Sequence, residues 1–137
     1  MTPLEPHFSY LRDELTAARA APLSAKRALL VALLIDAYVD RLFAISGEDD
    51  LLAFRARLAV ENDGLGLVMG VAARTLPLVT EAVEVPLADY HRLSEADFMV
   101  SLYNQHSVQR VRIVLAEGGR RDMLPVLVEA VEQLRRM

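Results

Sequence analysis

The sequence predicts an all-α fold, a single-domain bundle of five to six helices around an apolar central helix over residues 25–45. Apolar residues make up 53% of the 137 positions and charged residues 25%, which is typical of a packed core and not of a disordered chain. A chain this short also indicates one domain, 1–137, because two separate cores would each be very small. Between turn signals, apolar residues recur at helical spacing.

The first two predicted helices are separated by a short break in the pattern. Residues 5–20 carry an apolar stripe at helical spacing, with Pro6 in the first turn, where its missing N–H costs nothing. Ser24 is expected to cap the second helix, and Gly47 to end it. That helix is apolar on nearly every side and must be covered on every side. We therefore expect it at the centre of the bundle or shared with a partner subunit.

The middle of the chain predicts two further helices. The carboxylates of residues 48–50 suit the N-terminus of a third helix, because they complement its dipole. A fourth helix is expected from about Leu65 to Leu76, and Pro77 then kinks or restarts it before the region ends at Val85. Glycines at the start of this helix indicate a turn and close helix packing, since no strand precedes them as a dinucleotide-binding motif would require.

The last third of the chain leaves one choice open. Ser94 begins a near capping box for a fifth helix that runs from residue 95 into the 110s. A short strand over 108–115 is the main alternative, because VQRVRIVL is β-branched and partly alternating. The helix is favoured, since no partner strand is evident elsewhere. Asp122 is expected to cap a sixth helix, over residues 123–137.

Composition and charge argue against several classes of function. The net charge is −4, and the 15 basic and 19 acidic residues are interspersed, which disfavours nucleic-acid binding. There is no cysteine, so disulfides and thiolate chemistry are excluded. The longest apolar run is too short for the roughly 20 residues that span a bilayer, and residues 1–20 lack a signal-peptide pattern. The simplest interpretation is a cytoplasmic bacterial protein that binds neither nucleic acid nor membrane.

Two pairs of carboxylates could bind a metal. Asp36 and Asp40 lie one turn apart on the second helix, where they could ligate Mg²⁺, pair with an arginine or face solvent. Glu81 and Glu84 form an ExxE pair. A metal-dependent hydrolase of nucleotides or phosphate esters would need at least three of these carboxylates to converge within about 5 Å of one point. The pattern falls short of a metal site, so we assign neither a metal nor a cofactor.

The densest polar set lies at residues 103–110. If this segment is helical, Tyr103, His106 and Arg110 share one face and could bind an anion or a polar ligand. Arg110 would supply the charge, and His106 would act as a donor or proton shuttle. The alternative is an exposed polar strip or a polar patch at a subunit contact.

No coherent catalytic constellation emerges, so the leading hypothesis is a non-enzymatic protein. The mean hydropathy of +0.24 indicates more apolar surface than one small domain can hide. We therefore expect a homodimeric interaction or regulatory module, with the second or sixth helix at the interface and room for a protein partner. The alternatives are the metal-dependent hydrolase and a small-ligand-binding helical protein that uses His106 and Arg110 inside a bundle cavity.

Overall fold

The computed structural model, which describes residues 4–103 and 106–137, combines many helices with a small antiparallel sheet. About 65% of the chain is helical, and the rest includes three strands, so the prediction of an all-α fold is wrong. In chain order the elements of the described residues are α1 (Glu5–Ala20), α2 (Ala25–Ser46), α3 (Leu51–Glu61), α4 (Asp63–Ala72), β1 (Leu78–Glu84), a 3₁₀ helix (Leu87–Arg92), α5 (Glu95–Tyr103), β2 (Ser107–Val114), β3 (Arg120–Asp122) and α6 (Met123–Arg135).

Helix α2 forms the middle of the helical layer, where it contacts α1, α4 and α6. Its ends follow the local signals: the Ser24 hydroxyl accepts a hydrogen bond from the backbone N–H of Arg27, and Gly47 adopts the left-handed conformation at φ 81°. Val31, Ile35 and Val39 on the inner face are 0% exposed. The opposite face of α2 is exposed. The helix that is apolar nearly all round is therefore covered on one side only.

The favoured helix over the 110s is wrong, and the strand alternative describes this segment. Helix α5 ends at Tyr103, and β2 begins at Ser107. The partner strand β1 lies where the fourth helix was expected to restart after Pro77, and α4 itself ends at Ala72. β1 was missed because its ExxE spacing resembles a helical repeat, although strand β2 pairs with it antiparallel along its whole length.

The sheet has the strand order β1-β2-β3. Helices pack against both faces of its central strand β2. Val111 and Ile113 point toward the main core, which also contains residues of α1, α2, α3, α4 and α6. The intervening residues of β2 point to the opposite face, where α5 packs, because successive side chains of a strand alternate. Val108 is buried on that second face. The sheet thus joins α5 to the helical body.

Helices α3 and α4 approach each other closely just after the turn at Asn62. A Cβ atom built on Gly66 would come within 2.8 Å of the backbone oxygen of Ala59. A glycine is therefore needed here for space and not for an unusual φ angle. Among the described residues, no helix combines the length and the apolar character that a bilayer crossing requires.

Candidate functional site

The two carboxylates of α2 are held by an arginine of the neighbouring helix. The Nη1 atom of Arg55 lies 2.9 Å from Oδ1 of Asp40, and its Nη2 atom donates to Oδ1 of Asp36. Desolvation lowers the pKa of Arg55, but the hydrogen bonds and charges of the two aspartates outweigh it and raise this pKa above its usual value. Asp36 and Asp40 therefore join α2 to α3 through Arg55.

The ExxE residues lie on a strand and not on a helix. Glu81 contacts Nη1 of Arg112 at 3.2 Å and Nε of Arg120 at 3.6 Å. Glu84 comes three positions later, so its side chain leaves the opposite face of β1. Within residues 4–103 and 106–137, no group of three histidine or carboxylate side chains is placed to hold a metal ion. The convergence that the hydrolase hypothesis needs is not found in that part of the chain.

The structure does not bring the predicted polar set onto one face. Tyr103 ends α5, but its side chain and residues 104–105 lie outside the described part of the chain. His106 follows with a positive φ of 68° and contacts the hydroxyl of Tyr90 through Nδ1. Arg110 lies on β2 and donates two hydrogen bonds of 3.0 Å each to the carboxylate of Asp97 on α5. The prediction of a shared helical face is wrong because α5 ends at Tyr103, so His106 lies in the turn before β2 and Arg110 lies on β2.

A second polar cluster surrounds Tyr90, which sequence reasoning did not single out. Ser101 is 0% exposed and donates a hydrogen bond of 2.7 Å to the hydroxyl of Tyr90. The rings of Tyr90 and Phe98 also pack in a T-shaped arrangement, with 5.3 Å between their centroids. Ser101, Tyr90 and His106 thus link α5, the 3₁₀ helix and the start of β2. Ser101 is fully buried, whereas His106 at the other side of the cluster is exposed.

Arg110 also lines a cleft that sequence reasoning did not predict. The cleft lies between the α1–α2 turn, the 3₁₀ helix, β2 and the start of α6, and its volume is about 270 Å³. Arg19 and Arg92, which are far apart in the sequence, line it together with Asp97 and Asp122. His106 does not line it. No local pattern could have found this group, because its arginines are tens of residues apart.

A separate groove lies where α1, α2 and α6 meet. It has a volume of about 530 Å³ and is lined mainly by apolar side chains, among them Phe8, Leu42 and Ile45. Burial raises the pKa of the Tyr38 hydroxyl at this groove. Neither His106 nor Arg110 reaches the groove, so the predicted pair of ligand-binding residues does not share a bundle cavity there.

The exposed face of α2 carries a regular seam. We define the α2 seam by its exposed positions at alternating spacings of four and three residues, which are Lys26, Leu30, Leu33, Ala37, Asp40 and Ala44. Leu30 is 41% exposed and Leu33 is 45% exposed. This seam accounts for the side of α2 that the chain itself leaves uncovered.

Comparison of the chain with protein families, curated proteins and solved structures finds no match.

Proposed function

We propose that the protein is a homodimeric interaction module whose subunits join through the α2 seam. The observation that carries this proposal is the alternating four- and three-residue spacing of six exposed seam positions. That spacing averages 3.5 residues, which is typical of helices that pack side by side over several turns. Two leucines close to the middle of such a seam favour contact with another apolar helix surface.

The charges at the two ends of the seam favour a second copy of the chain in antiparallel orientation. Lys26 lies at one end and Asp40 near the other, with Leu33 midway between them. A two-fold axis at Leu33 would place Lys26 against Asp40 of the partner subunit and Leu30 at the level of Asp36 and Ala37 of the partner subunit. A parallel arrangement would instead oppose like charges at both ends, which is unfavourable. The seam is therefore complementary to itself, as an isologous dimer contact requires.

Helix α6, the other predicted interface, offers less apolar surface. Val128 is 39% exposed, whereas the last turns of α6 carry ion pairs from Glu132 to Arg135 and Arg136. Charged side chains of this kind are depleted from the centres of stable interfaces. We therefore place the dimer contact at α2. The proposal keeps the bacterial cytoplasm as the location, in line with the mixed surface charge and arginine-rich composition.

Sedimentation equilibrium over a range of protein concentrations tests this proposal. The wild-type protein should approach twice the chain mass of 15.2 kDa. Leu33→Glu should be monomeric, because the two-fold axis would bring two carboxylates together in an apolar contact. Leu87→Glu is the matched control, since Leu87 is a 71% exposed leucine on the 3₁₀ helix, outside α2 and the α3 helix that contacts the seam. This control should remain dimeric.

The orientation of the helices has its own test. Lys26→Glu should weaken the dimer, because it places a glutamate against Asp40 of the partner subunit. The double variant Lys26→Glu with Asp40→Lys should restore part of the association in the antiparallel arrangement, because the new lysine pairs with the glutamate of the partner subunit but also loses the contact of Asp40 with Arg55. A monomeric wild-type protein at about 100 µM, or a Leu33→Glu variant that stays dimeric, would refute the α2 interface.

A further inference from the structure

We propose that the cleft between the α1–α2 turn and the sheet binds a small phosphate monoester. Three arginines line this cleft, from α1, from the 3₁₀ helix and from β2: Arg19, Arg92 and Arg110. Guanidinium groups present planar pairs of N–H donors that match phosphate oxygens. Three arginines and two aspartates surround about 270 Å³, so the lining is net positive in a chain whose net charge is −4.

The carboxylates of the cleft already have cationic partners. Both oxygens of Asp97 accept hydrogen bonds from Arg110 at 3.0 Å. Oδ1 of Asp122 lies 3.1 Å from Nε of Arg112, which approaches from the sheet in poor alignment for a hydrogen bond. These pairs cancel the negative charges on the wall of the cleft. The positive charges that these pairs leave in the cleft are those of Arg19 and Arg92.

Arg19 and Arg92 supply that remaining charge. Both are exposed, and neither forms an ion pair with a carboxylate in residues 4–103 and 106–137. Two unmatched cations correspond to a dianion, which a phosphate monoester is near neutral pH. A single carboxylate would neutralise only one of them. The charge of the cleft therefore favours a dianion, such as a phosphate monoester, over a single carboxylate.

The other residues of the cleft provide an apolar surface for the organic group of a phosphate ester and one further hydrogen-bond donor. Pro22, Leu124 and Pro125 line it with apolar surface that can contact the organic part of the molecule. The Oγ atom of Ser94 accepts a hydrogen bond of 3.2 Å from the backbone N–H of Asp97. Its hydroxyl proton is then available to donate to a phosphate oxygen, since a hydroxyl both donates and accepts.

Isothermal titration calorimetry with glycerol 3-phosphate tests the proposal. Inorganic phosphate distinguishes free phosphate from an ester, and succinate tests a carboxylate dianion of similar charge. Arg19→Gln and Arg92→Gln should each weaken binding of glycerol 3-phosphate about tenfold or more, because each removes a charge-assisted hydrogen bond. The matched control is Arg12→Gln, an exposed arginine on the same helix α1 that does not line the cleft. This variant should bind as the wild type does.

Each possible result of these titrations either supports or overturns the phosphate site. Equal affinities for phosphate and glycerol 3-phosphate would support the site and assign it to free phosphate. Binding of succinate as tight as that of the phosphates, equal losses in the control and cleft variants, or no binding of either phosphate would overturn the proposal. The monomeric Leu33→Glu protein should keep its affinity, so failure of the dimer proposal and failure of the phosphate site are separate results.

Discussion

Two neighbouring positions on α2 should respond very differently to truncation. Ile35 is 0% exposed on the inner face, whereas Leu33 is 45% exposed on the outer face. Ile35→Ala and Leu33→Ala each remove three carbon atoms from the same helix, so they form a matched pair. The difference between their free energies of unfolding measures how much more deeply the inner face of α2 is buried than its outer face.

The magnitudes follow from these exposures. Removing three fully buried carbons forfeits about 2.4 kcal/mol of transfer free energy, and the cavity left behind raises the loss to about 3–5 kcal/mol. At Leu33 only about half of the side chain is buried, which reduces the loss in the monomer to about 1 kcal/mol. The higher helix propensity of alanine offsets about 0.2 kcal/mol of this loss. Ile35→Ala should therefore be the more destabilising by at least about 2 kcal/mol.

Urea unfolding monitored by circular dichroism gives both values. At a protein concentration low enough for the monomer, the two variants should differ as stated. At higher concentrations Leu33→Ala should lose further stability relative to the wild type, because dimer formation stabilises the folded chain by mass action. Losses that agree within about 0.5 kcal/mol at low concentration would refute the inward and outward faces assigned to α2.

Three further variants test other contacts. Arg55→Leu should destabilise the protein by about 1–3 kcal/mol, because it leaves two neighbouring aspartates without their shared cation. Gly66→Ala should cost about 1–3 kcal/mol despite the better helix propensity of alanine, since the new Cβ would meet the backbone oxygen of Ala59. The hydrogen bond from Arg57, and secondarily the charge of Arg57, lower the pKa of the Glu48 carboxyl below its usual 4.5. The ionised Glu48 therefore stabilises the fold above about pH 4.5, and this stabilisation is lost as the pH falls through the pKa of Glu48 in the folded state. Glu48→Gln should therefore flatten the acid limb of the stability curve.

Chemical denaturation at several pH values checks all three variants. Gly64→Ala is the control for the close approach of α3 and α4, since its new Cβ would meet only the flexible end of the Glu129 side chain. It should be neutral or slightly stabilising. An Arg55→Leu protein as stable as the wild type would show that the bridge between α2 and α3 contributes nothing. If the acid limb of the stability curve is unchanged in Glu48→Gln, the ion pair between Glu48 and Arg57 contributes nothing to stability.

The candidate sites were only partly open to prediction. Arg110 was singled out from sequence and lines the arginine cleft, but its neighbours Arg19 and Arg92 come from helices 91 and 18 positions away in the numbering. The pairing of Asp36 with an arginine was one of three alternatives, and only the packing of α3 on α2 selects Arg55. The partial exposure of Leu30 and Leu33 also follows from packing, because the sequence of α2 is apolar on nearly every side.

The sequence by itself determined the helices whose ends carry local signals. Ser24 and Gly47 bound α2, and Ser94 caps α5 through the backbone N–H of Asp97. Helical hydrogen bonds join residues four apart, so a few neighbouring side chains suffice to begin or end a helix. The strands needed more than this. β1 and β2 satisfy their backbone groups only across a gap of more than 20 residues, so the tertiary structure alone decided that 107–114 is a strand and which face of α2 remains open.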